Sequence, residues 1–169
     1  MPDLSEIRTR DKRNAAIHEA GHLTVALALK VRGRAWIFPS ATHDMMAEKL
    51  WVGKFQAMTC QGVSRPVICI AGVVAECLAD DPQIEATEIV DFIDCGIVTP
   101  SPTDMMGISV VSEEIVSTAL ELCRENKTFF DWAVAKLIRD ESVTDGMAGD
   151  YFHSLGCSHQ FNLNSTISP

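Results

Sequence analysis

Apolar residues recur along KRNAAIHEAGHLTVALALKV at the three-and-four spacing of a helix, from Lys12 to about Val31, where Arg32 and Gly33 are expected to stop it. One stripe carries Ala16, Ala20, Leu23 and Leu27. A second carries Ala15, His18, Glu19, His22 and Ala26, so one face should meet the core and the other a site. Gly21 inside this helix costs about 1 kcal/mol relative to alanine, which close approach of another backbone element would offset. The residues ahead of it, 1–11, read as a lightly packed lead. The pattern then changes to short apolar runs rich in aromatic and β-branched residues. RAWIF (Arg34 to Phe38) and LWVGKFQAM (Leu50 to Met58) read as strands, joined by a turn or loop over SATHDMMAEK. Gly53 within the second predicts a bulge or a close backbone approach.

Helical spacing returns at Ser64, with serine as cap and Pro66 in the first turn. The run VICIAGVVAECLAD is apolar nearly all round and is expected to be the central buried helix. Asp81 and Pro82 restart the chain into a helix over IEATEIVDFIDC, which Gly96 closes. Pro100 and Pro102 hold IVTPSPTD as irregular chain. A further helix covers about Val111 to Arg124. Thr128 caps another through FFDWAVAKLIRD, with Asp131 in the place of the usual capping-box glutamate. From Ser154 the chain turns polar, and 154–169 reads as a loose tail. The expected architecture is one domain over 1–169, mainly α with a small β-hairpin or sheet (α+β). The strand-helix alternation of a doubly wound fold is missing.

Composition narrows the function classes. With 47% of its 169 residues hydrophobic and 22% charged, the chain is apolar enough to build a core. Its formal net charge of -9 argues against nucleic-acid binding, which needs concentrated Lys and Arg. No run of about 18 apolar residues suggests membrane insertion. A P-loop and a dinucleotide fingerprint are both missing, so ATP and NAD chemistry have no support. The cysteines, Cys60, Cys69, Cys77, Cys95, Cys123 and Cys157, are scattered singly and mostly in apolar runs. Reduced thiols in a cytoplasmic protein are the expectation.

The chemistry concentrates in HEAGH, His18 to His22. On a helix, histidines four apart share a face and can grip one metal ion with Glu19 beside them. Zinc suits imidazole nitrogen and carboxylate oxygen in a tetrahedral set that keeps one position open. Glu19 is placed to act as the general base for water attacking a carbonyl. A third ligand is needed, and spacing leaves it open among His43, Glu76, Asp91, Asp94, Asp104, His153 and His159. Asp104 differs from the other acids in following a proline-rich stretch that could hold it before a helix.

These features together resemble the peptidase domain of the FtsH-type ATP-dependent zinc metalloproteases. The likeness rests on HEAGH, on WIFP after the motif helix, on AGVVAECLAD with Ala75 and Glu76, on SPTDM, and on LIRDESVTDG from Leu137 to Gly146. It spans about Asn14 to Phe152. It implies a zincin-like metallopeptidase domain present without the family's ATPase, with His18, His22 and Asp104 as zinc ligands and Glu19 as the catalytic residue. Glu76 would then support the helical core. The implied function is a zinc-dependent endopeptidase acting on peptides or unfolded segments that pair with one of the two strands. A metal-binding regulatory module without proteolysis, and a hydrolase of a non-peptide amide, are the other readings. A homo-oligomer or a partner protein is compatible with each.

Overall fold

A computed structural model of the chain describes residues 3–40, 49–58, 64–106 and 108–155. It is mainly helical with a small three-stranded antiparallel sheet. The elements in chain order are α1 (Leu4–Ala28), β1 (Gly33–Pro39), β2 (Trp51–Ala57), α2 (Ser64–Asp80), α3 (Ala86–Asp94), α4 (Pro102–Met105), α5 (Glu113–Glu125), α6 (Lys127–Asp140), β3 (Ser142–Val143) and α7 (Asp145–Ser154). No helix among the described residues is long and apolar enough to cross a membrane.

The motif helix starts at Leu4 and not at Lys12, so most of the expected lead is its first two turns. The Glu6 carboxylate accepts from the Asp3 N–H at 3.2 Å and so closes the helix start. At the other end the helix stops earlier than Arg32. Lys30 takes a left-handed conformation at φ 60°, the Val31 N–H reaches Ala26 O at 2.8 Å, and the Lys30 N–H reaches Leu27 O at 2.9 Å. This is a Schellman closure with lysine where glycine is usual. Of the tail, only its first residues are described, and Ser154 ends α7.

α1 divides two apolar clusters. Ala16, Ala20, Leu23 and Leu27 pack with Ala35 and Ile37 of β1 and with Phe130, Ala133 and Leu137 of α6. Val25 and Ala26 pack on the other side with α2, α3 and α5 through residues such as Ile70, Val74, Ile89 and Leu120. α2 is the central helix, with nine buried residues between Val67 and Cys77. At Gly21 α1 and α2 pack in close contact. A Cβ there would lie 2.5 Å from Ala71 O and 2.5 Å from Ala75 Cβ, which accounts for a glycine inside a helix.

The sheet order is β2-β1-β3, with β2 pairing β1 in register from Gly33↔Ala57 to Pro39↔Trp51. That register is unbroken at Gly53, so no bulge forms. α6 begins at Lys127, with Asn126 alone between it and the end of α5. Thr128 therefore lies inside α6 and does not cap it. Asp131 pairs with Lys127 at 2.6 Å instead. Cys77, Cys95 and Cys123 form no disulfide among the described residues, and Cys60 and Cys157 lie outside them.

Candidate metal centre

α1 and α2 run antiparallel, so Ile68 lies beside His22 and Glu76 beside His18. His22 Nδ1 is 2.7 Å from the Ile68 carbonyl oxygen. A carbonyl only accepts, so Nδ1 carries the hydrogen and Nε2 turns to the centre. His18 Nδ1 is 3.0 Å from Glu76 Oε1, and a carboxylate imposes the same polarity. Glu76 is thus the orienting partner of His18 and stands one step back from the centre. Such partners fix the ring and its tautomer for a metal.

Asp104 completes the group. It sits on α4, at the third helical position, within a reciprocal cap. The Asp104 N–H donates to Ser101 Oγ at 3.2 Å, and the Ser101 N–H donates to Asp104 Oδ2 at 3.1 Å. The proline-rich stretch expected to be irregular therefore holds a single capped turn, and Pro102 suits its first position. Asp104 is 8% exposed, with Oδ2 at 3.3 Å from His18 Nε2 and Oδ1 at 3.3 Å from His22 Nε2. The two Nε2 atoms are 3.1 Å apart. Zinc bonds of about 2.0–2.1 Å imply tetrahedron edges of about 3.3 Å, so the donor set fits such an ion in both chemistry and spacing. Among the described residues no other His, Cys, Asp or Glu joins the three.

Two glycines shape the space around these groups. A Cβ on Gly72 of α2 would lie 2.5 Å from His18 Nε2 and 2.6 Å from His22 Nε2. A Cβ on Gly53 of β2 would collide with Glu19 Cγ and Oε1. The expected close approach at Gly53 is real, but it is made by the Glu19 side chain. Phe55, two residues on, stacks on His22 at 5.7 Å between ring centroids and 18° between planes.

Glu19 is 5% exposed, and its Oε2 has no hydrogen-bond partner among the described residues. Burial raises its pKa, against the pull of His22 and His18. His18 behaves differently. Burial opposes its charged form, but the hydrogen bonds to Asp104 and Glu76 outweigh that and raise it to about 10. For Asp104 burial acts upward, and the two histidines together bring the carboxyl well below its usual range.

The other third-ligand candidates separate cleanly. Asp91 and Asp94 are exposed on α3, and His153 is exposed near the end of α7, none of them at the centre. His43 and His159 lie outside the described residues. Of the aromatic residues in the two strands, Trp51 and Phe55 line the cleft over the centre. Trp36 instead lies under Arg34 at 5.3 Å, and Phe38 is 40% exposed. Gly72 is the part of the site that the motif itself does not announce. Its signal is a glycine retained in an otherwise strongly apolar helix. No family model and no curated protein matches this sequence, so what the site does is argued from its geometry.

Proposed function

We propose that this chain is a zinc-dependent endopeptidase acting on flexible or unfolded peptide segments, as its resemblance to the FtsH-type peptidase domain implies. The observation that carries the reading is the convergence of His18 Nε2, His22 Nε2 and the Asp104 carboxylate at 3.1 to 3.3 Å, beside a buried and unpartnered Glu19 oxygen. Zinc held by these three residues would supply a Lewis acid able to polarise a carbonyl and make water more acidic. Glu19 takes a proton from the attacking water as the carbon–oxygen bond forms. It then gives that proton to the leaving amine as the carbon–nitrogen bond breaks. A pKa raised by burial suits both halves of that exchange.

β2 pairs on one side only among the described residues, and Gly53 and Phe55 bring it to the centre. An extended peptide can add to that edge through backbone hydrogen bonds, which suits unfolded segments better than folded ones. A purely structural metal site expects a fourth protein ligand. The described residues offer three, and the His18 side chain keeps 16% of its surface exposed.

The test pairs metal analysis with hydrolysis of a casein-like unfolded substrate. Wild-type protein should hold one zinc per chain and cleave. Glu19→Gln should keep the zinc and lose cleavage, and Asp104→Ala should lose the zinc. Full activity in Glu19→Gln overturns the mechanism.

A further inference from the structure

The cleft over the metal centre, about 1200 Å³ in volume, is built from α1, β2, both ends of α2 and α4. Five of the chain's fourteen basic side chains line it, in a protein of formal net charge -9. Three of them gather at one end. Arg10 and Arg13 lie on α1 ahead of His18, and Lys49 precedes Leu50, whose N–H donates to Asp11 of α1 at 2.9 Å. All three are exposed. Lys12, Arg32, Lys127, Lys136 and Arg139 each pair with an acidic side chain, whereas Arg10, Arg13 and Lys49 pair with none among the described residues, nor does Lys54 of β2, the fifth, which lies over Trp36 at 5.8 Å. The acids at this end are Asp11, which holds Leu50, and Asp80. Arg65 stands alone at the opposite end, beyond His22, where its guanidinium reaches Met106 O at 3.5 Å.

β2 follows α1 in the same direction. Trp51 sits beneath Lys12, Gly53 over Glu19, and Phe55 against His22. A peptide along its free edge would therefore run from the Arg10, Arg13 and Lys49 end, over the centre, toward Arg65. Arg13 and Arg10 precede His18 by about 7.5 Å and about 12 Å of helix rise. At about 3.3 Å per extended residue, that is roughly two and four residues of substrate from the reacting bond.

We propose that the cleft selects peptides with acidic side chains two to four residues from the scissile bond, on the side lying over the N-terminal half of α1. Arg10, Arg13 and Lys49 are the specificity-determining residues. The selection rests on the peptidase reading for where the peptide lies, but it can be measured as binding as well as cleavage.

The experiment uses matched peptide sets with Asp and Glu, or Asn and Gln, at these positions on either side of the bond. Cleavage by the wild-type protein is measured beside binding to the zinc-loaded Glu19→Gln variant by fluorescence anisotropy. Acidic residues on one side should raise kcat/KM and affinity about fivefold at about 50 mM salt, with most of the difference screened at about 500 mM. In the triple variant Arg10→Gln, Arg13→Gln, Lys49→Gln the acidic-to-neutral ratio should fall to about one. Salt dependence in the wild-type protein carries the test if that variant does not fold. Equal cleavage and binding of acidic and neutral peptides at low salt overturns the selection and leaves the peptidase reading standing. Cation-dependent binding of the acidic set without any cleavage overturns the peptidase reading and leaves the selection standing.

Discussion

Gly72→Ala adds one methyl group to a helix and should cost the protein its metal more than its fold. The new Cβ would lie 2.5 Å from His18 Cε1 and Nε2 and 2.6 Å from His22 Nε2. Comfortable contact begins at about 3.5 Å, so each ring must retreat by roughly 1 Å. Neither ring can retreat freely, because His18 is held by Glu76 at 3.0 Å and His22 by the Ile68 carbonyl at 2.7 Å. Alanine gains about 1 kcal/mol of helix propensity over glycine. Overpacking costs about 1–3 kcal/mol, so the metal-free protein should lose at most about 2 kcal/mol. Metal bonds tolerate only about 0.2 Å, and two of three ligands are displaced several times further. Zinc affinity should therefore fall by at least about a hundredfold, the upper end of what loss of a supporting partner causes. Denaturant unfolding of the metal-free protein and competition with a chelating dye measure the two quantities separately. Zinc binding within tenfold of wild type would refute the cradle. Gly21→Ala is the counterpart, since its Cβ would press on the Ala71 carbonyl and on Ala75, where helix α2 itself must move. That variant should be destabilised by about 3 kcal/mol or more, while the fraction that folds still binds zinc.

Gly53→Ala should leave zinc in place and abolish hydrolysis, because its Cβ would lie 2.3 to 2.6 Å from Glu19 Cγ, Oε1 and Cδ and push the carboxylate aside; cleavage at the wild-type rate would show that Glu19 is not positioned from β2. Glu76→Ala should weaken zinc binding about 10- to 100-fold by freeing His18 Nδ1, and Glu76→Gln, which can still accept that hydrogen, should weaken it less; equal losses in the two would remove the orienting role. In the metal-free protein His18 is raised to about 10 from an unfolded value of about 6.5. Its contribution to stability is then full below about pH 6.5 and is lost as pH climbs toward 10. Asp104, shifted downward, contributes above about pH 4 and loses that contribution in acid. Zinc replaces the proton on His18, so the alkaline fall in Tm should vanish when zinc is bound, and a metal-free Tm that is flat from about pH 6.5 to 9 would contradict the pairing.

What could be read from the chain follows the range of the forces involved. The stripe of Ala16, Ala20, Leu23 and Leu27, the aromatic runs of β1 and β2, and the apolar wrap of α2 are local patterns, and each element formed where its pattern lies. Helix ends depended on single residues. Lys30 accepts a left-handed backbone that sequence reasoning reserves for glycine, and Asp3 with Glu6 extends α1 by two turns ahead of the apolar pattern. The same capping pattern occurs at Thr128 and Asp131, where an almost continuous passage from α5 to α6 overrides it. It operates instead at Ser101 and Asp104, in a stretch that two prolines made look irregular. β3, two residues long, and α7, which carries Gly146 and Gly149, have no periodic signal strong enough to announce them.

The site shows the same division. HEAGH is local, and its two imidazoles share a face because helix geometry requires it. The remaining parts are tertiary: an aspartate from a capped turn, a glutamate and a carbonyl that orient the rings, and two glycines whose missing methyl groups leave room for them. Spacing along the chain could narrow the third ligand to a handful of acids and histidines, but only the packing of α4 against α2 separates Asp104 from Glu76. Glu76 is close enough to look like a ligand and is spent on Nδ1. A carboxylate facing Nδ1 holds a ring, whereas one facing Nε2 can share a metal with it, and in the proposed centre that distinction of one ring atom divides support from ligation. Exchanging the two acids as Glu76→Asp with Asp104→Glu should therefore fail to restore either role. The shorter side chain no longer reaches His18, and the longer one overfills the space beside His22, so metal analysis of that double variant should find less than one zinc per chain.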